Sequence, residues 1–372
     1  MYDRLSQLVD KLPEGMKKPI LREISPIREV FLEQRPARLM LVGSVGKSVP
    51  EFLHTACGVT VETGEAADGW RSYKLSGRSG RGEAQILDAR FDAPDDVVAA
   101  ALAHAAPDVL IYLRENLEPE AIWTKAIARV AQAGAETPIV GIAYGGEPAR
   151  VRLQALFASD RQFSLRRSVV SQPDEEEWSV GEAISAVLPN AARLEFARIA
   201  GAKKAQTEIA GSLLKSFTTV CGVIGLQPIP LADMPVLTTL QTLMVGLVVY
   251  VSGKPVNARL ITEFLGALGL NIGAGILFRE SARAIIKIVP LWGNAVSGFV
   301  AGAGTYAIGR AAISYFIEES PIAETQKLFH RLLPGWDAFK RRRLPTLKAA
   351  QTLEAEQAEA KAAAPKENEP EK

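Results

Sequence analysis

Between residues 37 and about 190, short apolar runs alternate with amphipathic stretches, and this constrains the fold more than any other feature of the chain. The apolar runs are RLMLVG (38–43), RSYKLSG (71–77), EAQILDA (83–89), DVLIYLR (108–114), PIVGIAY (138–144) and FSLRRSVV (163–170), each read as a strand. Helical spacing lies between them, clearest in DDVVAAALAHA (95–105) and in PEAIWTKAIARVAQAG (119–134), which Gly134 closes. Strands and helices alternating at this interval predict crossover units and a mainly parallel sheet flanked by helices. Upstream, Leu5, Leu8 and Val9, then Ile20, Leu21, Ile24, Ile27 and Val30, give residues 1–36 a helical pattern. Downstream of about 176 the strand signal stops: 176–217 reads as one long amphipathic helix, and 218–320 as helices rich in Gly and Ala.

The first apolar run leads straight into Gly43-Ser44-Val45-Gly46-Lys47-Ser48. A glycine turn followed by Lys-Ser and a helix is how a phosphate loop is built: backbone N–H groups surround the phosphates, Lys reaches them and Ser joins Mg²⁺. Here Gly43, Ser44, Gly46, Lys47 and Ser48 would hold phosphate, with Ser48 toward the metal and Val49 to Ala56 as the helix. The full motif is Gly-x-x-x-x-Gly-Lys-Ser/Thr, whereas Gly43 and Gly46 enclose two residues, and Leu41 stands where the first glycine belongs. A shorter loop offers fewer N–H groups. Two readings follow, a tight strand-to-helix turn or a phosphate site of reduced reach.

Two C-terminal runs carry no charge, MPVLTTLQTLMVGLVVYVSG (234–253) and IVPLWGNAVSGFVAGAGTYAIG (288–309). About 20 apolar residues span a hydrocarbon core of roughly 30 Å, and the Gly298-x-x-x-Gly302 spacing lets helix backbones approach closely. Against insertion stand Pro235 and Pro290 inside the runs and the polar Thr238, Thr239, Gln241, Thr242, Asn294 and Ser297. The competing expectation is a helical domain whose central helices are buried on every side. Beyond Trp336 and Phe339, Lys340-Arg341-Arg342-Arg343 suits either an anionic membrane surface or a solvated helix end. From about 346 the chain is Ala/Glu/Lys/Gln-rich, too poor in aliphatic residues to fold alone.

Composition closes several routes. With 43 Lys+Arg against 42 Asp+Glu in 372 residues, overall charge does not drive nucleic-acid binding. The 2 cysteines, Cys57 and Cys221, make neither a disulfide framework nor a zinc site and read as buried small residues. The 3 histidines, His54, His104 and His330, are scattered, and His54 reads as a boundary residue. Asp174-Glu175-Glu176-Glu177 suits the positive end of the following helix, and Asp233 suits a cap.

Together these segments resemble an Era/TrmE-like small GTPase domain fused to a YcjF-type C-terminal domain. The resemblance is carried by PILREISPIREVFLEQRPARLMLVG (19–43), QPIPLADMPVLTTLQTLMVGLVVYVSGK (227–254) and IVPLWGNAVSGFVAGAGTYAIGRAAISYF (288–316). It implies an α/β P-loop GTPase-like domain over 37–190, after a helical lead-in (1–36). An all-α, Gly/Ala-rich helical domain (191–335) and a basic segment with tail (336–372) would follow. It implies GTP and Mg²⁺ as ligands only if the phosphate loop is functional, with Asp88 then joining Ser48 at the metal and a switch threonine at Thr60 or Thr63 in the loop between the first helix and the second strand. The family's Asp-x-x-Gly is here Asp88-Ala89-Arg90-Phe91, and its Asn-Lys-x-Asp is Gly141-Ile142-Ala143-Tyr144-Gly145-Gly146, with no carboxylate before Glu147. Loop length, γ-phosphate sensor and base reader are all altered, so the resemblance implies a pseudo-GTPase with no catalytic residue. Its expected role is regulatory or scaffolding, in the cytoplasm and at the inner face of a membrane, with a protein partner or membrane surface and scope for homo-oligomers. Two alternatives stay open: an active GTPase using Lys47, Ser48 and Asp88 with a shortened loop, and a membrane-embedded helical protein.

Overall fold

A computed structural model describes residues 30–31, 33–44, 46–77, 80–114, 120–134, 136–164, 166, 168–171, 179–225, 233–269 and 293–333. Its N-terminal part is a seven-stranded sheet with helices on both faces. In chain order the elements are β1 (Ala37–Gly43), α1 (Val49–Cys57), β2 (Thr60–Ala67), β3 (Trp70–Gly77), β4 (Gly80–Asp88), α2 (Asp95–His104) and β5 (Val109–Arg114). Then come α3 (Glu120–Gln132), β6 (Ile139–Ala143), α4 (Gly146–Ser159), the short α5 (Arg161–Ser164), β7 (Ser168–Ser171) and α6 (Ser179–Val187). The strand order is β2-β3-β4-β1-β5-β6-β7. From β4 to β7 all pairs are parallel, and β2 and β3 extend the sheet antiparallel beyond β4.

Strands covered on both faces must be apolar on both, which is why the central runs are continuous and do not alternate. Leu39 and Leu41 join Val109, Ile111, Val140 and Ile142 in one core, under α1 and α6. Met40 and Val42 join Leu110, Tyr112 and Ile139 in the other, under α2, α3, α4 and α5. Three expectations need correction. Residues 60–67, absent from the predicted strands, form β2, folded back through Asp68 (φ 51°) and Gly69 (φ 80°). Of 163–170 only the end is strand, the beginning being α5. The single helix over 176–217 is three: α6, α7 (Asn190–Ile199) and α8 (Lys203–Gly225). Pro189 precedes α7, and Gly201 takes a left-handed φ of 64° between α7 and α8.

The C-terminal part is helical: α8, α9 (Asp233–Val251), α10 (Ala258–Ala267), α11 (Gly293–Phe316) and α12 (Ile322–Leu332). The two uncharged runs become α9 and α11, with Pro235 in the first turn of α9, where its missing N–H costs no helical bond. Met244, Val245, Val248 and Val249 of α9 lie in one core with Phe217 and Cys221 of α8 and Ala307, Ile308 and Ala311 of α11. Gly302 faces Gly222 of α8, where an added Cβ would lie 3.6 Å from the Gly222 Cα, in ordinary contact. Gln241 Nε2 donates to Thr305 Oγ1 at 3.0 Å, so polar groups of the two runs satisfy each other. Among the described residues no helix is long and apolar enough to cross a membrane. Residues 1–29, 172–178, 226–232, 270–292 and 334–372 fall outside the described residues. With them go most of the lead-in, the acidic run, Pro290, the basic run and the tail.

Candidate functional site

Pairing registers of Leu41 with Asp88 and of Gly43 with Leu113 bring the ends of β1, β4 and β5 together at the carboxyl edge of the sheet. From β1 the chain goes to one side, and from β4 it crosses to β5 on the other, so the β1–β5 crevice is the point where an open α/β sheet binds ligands. Gly43 enters this crevice with φ 95°; a Cβ there would lie 2.3 Å from the Leu113 carbonyl oxygen. No other residue fits. The Ser44 N–H then donates to that same Leu113 oxygen at 2.9 Å, and Ser44 is 7% exposed. The chain therefore stays hydrogen-bonded to β5 through Ser44. Val45 is outside the described residues, and Gly46 is exposed.

Lys47 is half-buried, its Nζ 3.5 Å from Thr55 Oγ1 and 5.5 Å from the centre of the Tyr144 ring. Ser48 caps α1: its Oγ accepts from the Glu51 N–H at 3.3 Å, the usual task of a serine at that place. Asp88 ends β4 against Arg90. The guanidinium donates from Nε to Oδ1 at 2.7 Å and from Nη2 to Oδ2 at 2.6 Å, a two-pronged pair. Its Nη1 donates to the carbonyl oxygen of Lys47, tying the strand end to the loop. Arg90 is 5% exposed.

The segment after Asp88 is held at every step. The Ala89 N–H donates to Leu41 O at 2.9 Å and the Phe91 N–H to Gly43 O at 3.2 Å. From α3, Lys125 Nζ donates to Phe91 O at 2.7 Å and Arg129 Nη2 to Ala93 O at 2.8 Å. At the end of β6, the Tyr144 N–H donates to Arg114 O at 3.0 Å, and Gly145 (φ 120°) and Gly146 (φ 73°) turn the chain into α4. Glu147, in the first turn of α4, forms an ion pair with Arg150 at 2.5 Å. Thr60 and Thr63 sit on β2, at the edge of the sheet.

The sequence-predicted Gly43, Ser44, Gly46, Lys47, Ser48 and Asp88 are thus gathered at one edge. As donors for Mg²⁺ they do not fit: both Asp88 oxygens serve Arg90, and the Ser48 hydroxyl serves the Glu51 amide. Among the described residues no group of three His, Cys, Asp or Glu could hold a metal. Arg90, Lys125 and Arg129 were not legible, since an arginine's residue type does not reveal that it is buried. The one signal was position, Arg90 being two residues past a candidate metal aspartate. Cys57 and Cys221 are buried as expected, and burial pushes their thiols up to about 12 and about 11. His54 Nδ1 lies 3.1 Å from Val59 O, in the turn after α1. Neither family models nor curated proteins gave a match to this chain.

Proposed function

We propose that this chain is a GTPase-like protein that no longer turns nucleotide over and acts as a regulatory or scaffolding partner. In this reading it is an Era/TrmE-like domain joined to a YcjF-type helical domain. One observation carries the proposal: the Ser44 N–H, which a phosphate loop would turn toward its ligand, already donates to Leu113 O. Compensating for that loss would take an opened loop, and a loop two residues short has little slack to open. The sheet order agrees with the reading, with β1 central and its loop at the β1–β5 crevice. The working partner is a protein or a cytoplasmic membrane surface.

Equilibrium binding of labelled GTP and ATP with Mg²⁺ tests it. The expected result is no saturable binding in the micromolar range; micromolar GTP binding that Lys47→Ala abolishes would overturn the proposal. Lys47 favours the rival reading of an active GTPase, because its long 3.5 Å contact leaves the ammonium ready for a phosphate. That rival predicts Mg²⁺-dependent phosphate release that Ser48→Ala abolishes.

A further inference from the structure

We infer that Arg90 is a resident cation standing in for the divalent metal that a phosphate loop of this kind would use, and that it orders the loop without ligand or metal. The guanidinium lies between the Asp88 carboxylate and the Lys47 carbonyl, beside Ser48, so it joins the two segments that a metal there would bridge. A planar guanidinium has enough donors in a fixed fork to reach both carboxylate oxygens and a carbonyl at once; a lysine ammonium lacks that geometry. Residues 47 and 90 come from different connections, after β1 and after β4, so this contact closes the carboxyl edge across the sheet.

Two consequences follow. The cation is covalently part of the chain, so the order of 46–48 does not depend on any metal concentration. A divalent ion approaching Asp88 meets a like charge on a guanidinium that is 5% exposed and already satisfied. The site is closed to metal by an added side chain and has not merely lost its ligands. Asp88 and the Lys47 carbonyl both remain in place, so removing the guanidinium should recreate a metal site.

Hydrogen–deuterium exchange of the full-length protein over 44–48 and 89–93, with and without millimolar Mn²⁺, tests this in the absence of any nucleotide. It therefore reads Arg90 independently of whether GTP binds. The wild type should exchange identically with and without Mn²⁺. In Arg90→Ala both segments should exchange at least several-fold faster, and Mn²⁺ should slow them again, an effect lost in the Asp88→Asn, Arg90→Ala double variant. Arg90→Lys, which keeps the charge, covers the case of an unfolded alanine variant and should exchange faster than wild type over 44–48. Mn²⁺ protection of the wild type, or unchanged exchange over 44–48 in Arg90→Ala or Arg90→Lys, would overturn the inference. So would faster exchange in Arg90→Ala that Mn²⁺ does not reverse.

Discussion

Burial decides which half of the Asp88–Arg90 pair matters for stability. The Arg90 side chain is 6% exposed and the Asp88 side chain 43%. Removing the carboxylate leaves a buried guanidinium short of its counter-charge, whereas removing the arginine leaves an aspartate that water can reach. Asp88→Ala should therefore cost about 1–3 kcal/mol, read by urea denaturation; an unchanged midpoint would refute the argument. The thiols give a second test. Burial raises Cys57 to about 12 and Cys221 to about 11, and burial with the Glu195 hydrogen bond raises Tyr250 to about 12. These groups bind protons more tightly folded than unfolded, so their contribution is whole below the ordinary thiol and phenol values. It is lost as pH rises through about 11 to 12. Thermal melts should hold steady near pH 8 and fall steeply above pH 10, and iodoacetamide should label both cysteines only after denaturation. At this scale the sequence exposed Gly43, Lys47, Ser48 and Asp88, because glycine, lysine and serine in that order imply a chemistry. Arginine implies none until its surroundings are known.

Elements meet through their glycines, and the distances separate those that tolerate a side chain from those that do not. A Cβ on Gly77 would lie 2.0 Å from the Ile199 carbonyl oxygen, backbone that cannot turn aside, so β3 and α7 would have to part. On Gly302 the nearest atom would be the Thr218 carbonyl oxygen at 3.4 Å, an ordinary contact, and alanine also favours the helix by up to about 1 kcal/mol. Gly77→Ala should destabilise by roughly 2–3 kcal/mol, and Gly302→Ala should be within about 0.5 kcal/mol of neutral, by the same denaturation measurement. Equal losses would mean that helix–helix approach is as tight as strand–helix approach. The small-residue spacing of α11 was readable, and so was its use in close packing; its partner, Gly222 of α8, was not, because spacing names a face and not what covers it. β2 was unreadable for another reason. At the sheet edge none of its residues is fully buried, so it shows no apolar alternation, and only its pairing with β3 identifies it.

At the scale of the whole molecule, the change in texture near residue 190 marks a change of architecture but not a separation of parts. α7 lies on that boundary and is two-faced: Ala192, Phe196 and Ile199 belong to the sheet's core, while Leu194 and Ala197 belong to the helical core. Polar contacts repeat the join. Glu182 of α6 accepts from the first amides of α8 at 2.8 and 3.2 Å, the charge that a helix N-terminus favours. Arg198 of α7 donates to Tyr250 O at 2.8 Å and lies over its ring, while the Tyr250 hydroxyl donates to Glu195 at 2.5 Å. Before β1, Arg35 pairs with Asp108 at the sheet and Phe31 lies 6.2 Å from the Tyr250 ring, so the lead-in also touches both parts. A periodicity reading assigns each helix one apolar face and one domain, and so it cannot see a wall shared by two cores. Such a wall should make the parts unfold as one unit. Exchange measured in urea on peptides from β5 and from α8 should give one common midpoint. Phe196→Ala, which empties space only on the sheet side, should lower both midpoints together, by the equivalent of roughly 3 kcal/mol. A drop confined to β5, with α8 unmoved, would show that the helical part stands without the sheet.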